Sequence, residues 1–193
     1  MKADRYFCLS QRLDASFCRL VAGERAIAAD DLAALRRAAI LNASGSLCAV
    51  APAGLAAAEQ ELRPGQGTAD LLLSASWSQW RLQQRLRRWS FQRVMTVEAG
   101  RAPRQSVTAS RPDGLARLHG AFGSIAAWFG EADQCLARSL AFRALALRQG
   151  AHPRLVLGVK LDPFAAHCWV QSGTRVDNDV IERTRLYTPI LIL

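Results

Sequence analysis

The alternation of apolar and polar positions is clearest in the C-terminal half of the chain. Two segments with apolar residues at helical spacing are followed by four short runs with the length and composition of strands. The predicted helices are 115–129 and 135–149, the second ended by Gly150, and the predicted strands are 155–159, 167–171, 175–179 and 189–193. This order predicts a helix-plus-sheet domain of the α+β class over residues 115–193.

The N-terminal segment has a weaker pattern. Residues 5–10 are aromatic and aliphatic enough for a short strand, and residues 13–21 fit a short helix. Asp30 or Asp31 is positioned to cap a second helix. A strand followed by short helices predicts a small winged-helix-like module over residues 1–62.

Residues 63–68 contain proline and two glycines, which makes them the best candidate boundary. Residues 63–114 are therefore predicted to form a linker and one basic helix. That helix, residues 77–97, carries five arginines and four aromatic residues. We interpret it as an amphipathic helix with a solvated basic face, with a membrane, nucleic acid or a partner protein as alternative ligands.

Composition excludes several classes of protein. The 193 residues contain no apolar run of about 18 residues, so no transmembrane span is expected. The N-terminus lacks the apolar core of a secretory signal, which favours the cytoplasm. Five irregularly spaced cysteines do not fit a disulfide framework. The net charge of +9 fits an anionic partner, but an arginine-rich composition from a GC-rich genome explains it equally well.

The candidate chemistry lies in the C-terminal domain. Cys135 opens a predicted helix, where the positive end of the helix dipole favours the thiolate. His167 opens a predicted strand and is a candidate general base for that thiol. The turn of the next hairpin decides whether Asp179, Asp177 or Asn178 lies opposite His167. Taken singly, each residue also fits a structural role, the cysteine as a small core residue and the histidine as a satisfied polar side chain.

A metal or nucleotide site is not expected in this chain. His167 and Cys168 are adjacent on a strand and point to opposite faces, and neither CxxC nor HExxH occurs. Neither a Walker loop nor a GxGxxG follows a predicted strand. The sequence therefore predicts no cofactor and no metal ligands.

Several motifs together resemble the lasso peptide biosynthesis B protein family. They are Cys135-Leu-Ala-Arg-Ser-Leu-Ala-Phe-Arg-Ala-Leu, Leu155-Val-Leu-Gly-Val159, Pro163-Phe-Ala-Ala-His-Cys-Trp-Val-Gln171, Asn178-Asp179 and Tyr187-Thr-Pro-Ile190. The resemblance implies a transglutaminase-like, papain-related peptidase that cuts a ribosomally made precursor behind its leader. It implies Cys135 as nucleophile, His167 as general base and Asp179, rather than Asp177, as the orienting acid. It also implies a partner cyclase, which would be the component that consumes ATP.

The N-terminal run Asp4-Arg-Tyr-Phe-Cys-Leu-Ser10 is similar to the precursor-recognition module that some of these proteins carry. That module binds the leader as an added strand, which implies leader contacts at Tyr6, Phe7 and Leu9. The family usually has two further strands before this motif. The module is therefore expected to be incomplete at its start.

Two other functions remain open at this point. The same Cys-His-Asp arrangement fits an acyltransferase that uses an amine in place of water. A basic winged-helix nucleic-acid-binding protein fits the charge, and its DNA binding would weaken steeply with salt and ignore Cys135. The density of motifs in the C-terminal domain favours the peptidase, for which neither nucleic acid nor a membrane is an expected partner.

Overall fold

The computed structural model describes residues 9–24, 26–38, 40–41, 54–101, 112–129, 134–161 and 163–193. The chain divides into two compact units between Pro52 and Ala53. The boundary predicted at residue 62 differs, because the short strand β1 (Gln60–Glu61) pairs within the sheet of the second unit. No helix in the described ranges has the length and apolarity needed to cross a membrane.

In the first unit, helices α1 (Gln11–Val21) and α2 (Ala29–Arg37) are joined by a buried carboxylate. Asp31 accepts a hydrogen bond from Ser16 Oγ at 2.7 Å and pairs with Arg12 at 2.8 Å. The Ser16 hydrogen bond and the Arg12 guanidinium hold the pKa of Asp31 below its ordinary value. A buried acid with two partners ties α2 to α1.

The predicted cap of α2 is wrong. The residue at the N-cap position is Ala28, which makes no side-chain capping bond. Asp31 lies inside the first turn and turns towards α1, while Asp30 remains an exposed residue of that turn. Acidic residues in a first turn still favour the helix, because they face the positive end of its dipole.

The second unit is built around a mixed sheet that, within the described residues, has five strands. The remaining strands are β2 (Arg154–Leu161), β3 (Phe164–Ser172), β4 (Arg175–Val176) and β5 (Thr188–Ile192). Its helices are α3 (Ala69–Arg88), α4 (Phe91–Ala99), α5 (Pro112–Phe129), α6 (Cys135–Arg148) and α7 (Ile181–Thr184). The order across the sheet is β1-β4-β3-β2-β5, and only the β1–β4 pair is parallel. The predicted α+β class is confirmed.

Helix α6 is the centre of this unit. Every residue from Ser139 to Leu147 is buried, because α3 and α5 pack against α6 from one side and the sheet from the other. Side chains of the central strands alternate, so that Leu155 and Leu157 face this helical core and Val156 joins a smaller cluster of buried residues. A helix buried on all sides holds its first residue rigidly against the sheet.

The helix predicted over residues 77–97 is two helices in the structure. Trp89 has an extended backbone, with φ −110° and ψ 153°, which ends α3. The hydroxyl oxygen of Ser90 then accepts a hydrogen bond from the Arg93 N–H at 3.3 Å and caps α4. A serine cap inside a pattern of helical periodicity is the local reason for the break.

The segment between β1 and α3 packs on α5. The Gly65 N–H donates to the Ala116 carbonyl at 2.7 Å, and His119 Nδ1 donates to the Leu62 carbonyl at 2.8 Å. A Cβ atom at Gly120 would collide with the Gly65 carbonyl oxygen, so only glycine allows this contact. The segment is thus part of the second unit, unlike the predicted linker.

Candidate active site

Cys135 is the first residue of α6 and lies in a cavity of about 370 Å³. Gln134 stands at the N-cap position and makes no side-chain capping bond, while its Oε1 accepts a hydrogen bond from Gln83 Nε2 of α3. His167 and Asp179 line the same cavity. The structure therefore brings together the cysteine, histidine and aspartate that the sequence singled out.

His167 on β3 lies between Asp179 and Cys135. Its Nε2 lies 2.5 Å from Asp179 Oδ2, and its side chain also hydrogen-bonds the Cys135 thiol. The ring also packs beside Trp169 and Tyr187, with centroids 6.2 and 5.1 Å away. Two hydrogen bonds and two aromatic neighbours fix the orientation of the imidazole.

Gly158 of β2 makes room for these aromatic neighbours. It is the register partner of His167 across the β2–β3 ladder. A Cβ atom at this position would come within 2.9 Å of both Trp169 and Tyr187. Because atoms do not pack that closely, any larger residue would push the two rings that flank His167.

Asp179 reaches His167 by a route that the sequence did not predict. Ser172 pairs with Arg175, so the hairpin turn is residues 173–174, a turn that places none of Asp179, Asp177 and Asn178 directly opposite His167. The ladder ends one residue later, and Asp179 approaches His167 from the bends that follow β4 rather than as a cross-strand neighbour. Asp179 thus lies beside His167, but all three strand registers considered from the sequence were wrong.

Asp177, the alternative acid, is occupied elsewhere. It is fully buried, pairs with Arg175 Nε at 2.7 Å and accepts a hydrogen bond from Ser172 Oγ. Its contacts close the β3–β4 hairpin. Asp177 is therefore a structural carboxylate in this fold.

Asn178 fixes the bend that carries Asp179. Its Oδ1 accepts from the Val170 N–H at 2.7 Å, and its Nδ2 donates to Ser139 Oγ at 2.9 Å. Ser139, one turn after the cysteine on α6, in turn donates to the Cys168 carbonyl at 2.9 Å. These bonds tie α6, β3 and the bend into one unit. The sequence analysis missed this role of Ser139, although its spacing from Cys135 places both on one face of the helix.

The surroundings of Cys135 favour the thiolate. Burial by itself raises the pKa of the thiol, but it is outweighed by the hydrogen bond and charge of His167. The backbone N–H groups of Cys168 and Leu136 also donate to the sulfur. The net result is a pKa below the ordinary value for cysteine.

The pKa of His167 moves in the complementary direction. Burial lowers it, but the hydrogen bonds and negative charges of Asp179 and Cys135 outweigh burial and raise the pKa to about 9. Burial would raise the pKa of Asp179, yet the hydrogen bond of His167, the Val180 N–H and the nearby Arg183 keep it below its ordinary value. At neutral pH these directions favour a thiolate, an imidazolium and a carboxylate in a row.

Cys168 is unlike Cys135, although it lies one residue from His167. It belongs to the helical core, and burial raises the pKa of its thiol well above the usual range.

Within the described ranges, no group of three or more His, Cys, Asp and Glu side chains is arranged to hold a metal ion.

The predicted leader-binding residues are only partly described. Tyr6 and Phe7, with most of the predicted strand 5–10, lie outside the described residues. Leu9 is described and is partly buried, just before Ser10 caps α1. Leader binding by these residues stays a prediction.

A family model described as the transglutaminase-like superfamily matches residues 78–192, more than half of the chain. The chain belongs to the transglutaminase-like superfamily. The match begins inside α3 and includes Cys135, His167 and Asp179. Its start agrees with the packing of α3 on α6. Members are usually cysteine-protease-like enzymes, so the family fits a cysteine peptidase or acyltransferase in general. No curated protein and no solved structure matches the chain significantly.

Proposed function

We propose that this protein is a cysteine peptidase that removes the leader from a lasso precursor peptide, working with an ATP-dependent cyclase. The observation that carries the peptidase chemistry is the short His167–Asp179 contact beside Cys135 in an accessible cavity. The lasso substrate rests on the resemblance of the C-terminal motifs. Cys135 is the proposed nucleophile, His167 the proton carrier and Asp179 the orienting acid.

In the first half of the proposed reaction, the Cys135 thiolate attacks the carbonyl carbon at the leader–core junction. Backbone N–H groups at the start of α6 stabilise the oxyanion that forms. The imidazolium of His167 gives its proton to the departing nitrogen as the C–N bond breaks. The core peptide leaves with a free amine, and the leader remains as a thioester on Cys135.

In the second half, neutral His167 takes a proton from water, which attacks the thioester carbonyl. The C–S bond breaks, the thiolate returns, and the leader leaves with a carboxylate. Asp179 keeps the imidazole in one orientation and stabilises its cation in both halves. No nucleotide takes part in these steps, so the ATP is assigned to the cyclase.

An acyltransferase remains the second candidate, and the same constellation supports it. An amine that enters in place of water attacks the same thioester and needs no further side chain. The products differ in mass, because the leader then ends in an amide formed with that amine and not in a carboxylic acid. Product mass therefore separates the two reactions.

The test is mass spectrometry of a lasso precursor peptide after incubation with this protein and a lasso cyclase. Wild type is compared with Cys135→Ala, and Cys18→Ala is the matched control, because Cys18 is an exposed free thiol of the first unit. We expect one cleavage at the leader–core junction with wild type and Cys18→Ala, and none with Cys135→Ala. Equal cleavage by all three proteins would refute the proposed nucleophile.

A further inference from the structure

A second cavity, of about 180 Å³, lies at the other end of α6. Four arginines line it: Arg81 and Arg85 from α3, Arg101 after α4, and Arg148, the last residue of α6. Because a helix rises about 1.5 Å per residue, this arginine groove lies roughly 20 Å along α6 from Cys135. It is separate from the candidate active site.

The positive charge of the arginine groove is largely uncompensated. The carboxylate beside it, Glu98, is buried and already pairs with Arg101 at 3.0 Å. Among the described residues, no carboxylate lies within ion-pair distance of Arg81, Arg85 or Arg148. Several guanidinium groups held around one cavity repel each other, so an anion bound there gains from all of them.

Electrostatic crowding is visible at Arg101. Burial lowers its pKa, and the positive charges of Arg85, Arg148 and Arg81 lower it further, against the opposing effect of Glu98. These side chains therefore share one local field. They are a convergent group and not a dispersed basic surface.

An exposed apolar face adjoins the groove on α3. Leu73, Trp77 and Trp80 are 73%, 59% and 45% exposed, and the two indole rings stack with centroids 4.9 Å apart. Trp77 also lines the groove, so the charged and apolar surfaces are continuous. Tryptophan and arginine are the residues most enriched at energetic centres of protein interfaces.

We propose that the arginine groove and the Leu73–Trp77–Trp80 face bind an acidic segment of a partner protein. Carboxylates of the segment enter the groove and form charge-assisted, bidentate bonds with the guanidinium groups. An apolar side chain beside them covers the stacked indoles. A peptide fits better than nucleic acid, because the arginines converge on one small cavity while a large apolar area next to it needs a cover. This binding is independent of the reaction proposed for Cys135.

The test uses a fluorescein-labelled peptide of about twelve alternating Glu and Leu residues, with binding to the full-length chain followed by anisotropy at low salt. The variants are Arg81→Glu and Arg148→Glu. The matched control is Arg87→Glu, which makes the same charge change at an exposed position of α3 outside the groove. We expect the groove variants to bind about tenfold or more weakly and the control to bind as wild type. Trp77→Ala should also weaken binding.

Arg81→Gln and Arg148→Gln keep the result interpretable if a charge reversal impairs folding, which thermal melting would reveal. Both Gln variants should bind the peptide more weakly than wild type and should keep the melting temperature of wild type. The proposal is overturned if Arg87→Glu weakens binding as much as the groove variants, since net charge then explains it. It is also overturned if the peptide does not bind, or if a single-stranded DNA of about twelve nucleotides binds more tightly through the same arginines.

Discussion

The two ends of α6 hold opposite charge arrangements. At the first residue, Cys135 faces His167, and His167 faces Asp179 at 2.5 Å, so each charge has a partner inside the protein. At the last residue, Arg148 joins three other arginines around one cavity, and Glu98, the carboxylate beside it, is buried and already paired with Arg101. Both arrangements suit the helix dipole, which favours an anion at the start of a helix and cations at its end.

The difference lies in what each end requires from outside. The compensated end has its proposed nucleophile, proton carrier and orienting acid in contact, so the proposed reaction requires only a substrate carbonyl. The uncompensated end lowers its free energy only when an anion arrives. One buried helix thus begins at a proposed reactive site and ends at a proposed binding site.

The largest effect is expected at the nucleophile. Cys135→Ala removes the only atom that forms the thioester, so cleavage of the precursor should fall by roughly 10⁴-fold or more. The rate is measured by single-turnover mass spectrometry. Residual cleavage within tenfold of wild type would mean that another group attacks the carbonyl.

The next effect is expected at the orienting acid. Asp179→Asn keeps the size of the side chain but removes its charge, and kcat/KM should fall by about 10²- to 10⁴-fold. The dependence of kcat/KM on pH tests the role of Asp179 more specifically than the size of the loss does. In wild type, the pKa of His167 is raised to about 9, so the imidazolium persists below that pH and the activity falls as the pH rises through it.

In Asp179→Asn, the alkaline limb should move to lower pH, because burial lowers the pKa of His167 once the opposing carboxylate is gone. Asp177→Asn is the comparison variant, since Asp177 closes the hairpin and does not touch His167. An unmoved alkaline limb in Asp179→Asn would contradict the assigned role.

A smaller effect is expected at the residues that hold the bend. Asn178→Ala leaves the Val170 N–H without its acceptor, which should cost about 1–3 kcal/mol of unfolding free energy. If Asn178 also positions Asp179, the alkaline limb of the pH profile should shift in the same direction as in Asp179→Asn. Ser139→Ala removes the other contact of Asn178 and should act in the same way but more weakly. Chemical denaturation and the pH profile together separate stability from positioning.

The smallest effect is expected in the unliganded arginine groove. Arg81→Gln relieves repulsion between like charges, so the melting temperature should rise slightly at low salt. At about 0.5 M NaCl the difference should shrink, because added salt screens the repulsion between solvent-accessible charges. A lower melting temperature at both salt concentrations would show that Arg81 stabilises the fold instead.

Much of the second unit follows from sequence patterns. The predicted segments for α5, α6, β2, β3 and β5 agree with the structure to within a few residues, because each has a clear period or a clear end. The same pattern also predicts that Cys135 begins a helix and that His167 lies on a later strand. The role of a lasso leader peptidase stays a proposal.

Other features depend on contacts that a pattern does not contain. The hairpin turn was mispredicted because Ser172, Gly173 and Thr174 allow several turns, and the contacts of Asp177 select one. The arginine groove joins residues of α3, α6 and the end of α4, which only tertiary packing brings together. The sequence predicted a basic face over residues 77–97, but it did not predict that Arg101 and Arg148 lie beside that face.

The most direct test of the central claim is the rate at which iodoacetamide alkylates Cys135 between about pH 4 and pH 10, followed by peptide-resolved mass spectrometry. If His167 and Asp179 activate the thiol, the rate reaches half of its plateau at a pH below that of free cysteine, about 8.5, and Asp179→Asn moves the midpoint upwards. A midpoint at or above that of free cysteine in both proteins would contradict an activated nucleophile at Cys135.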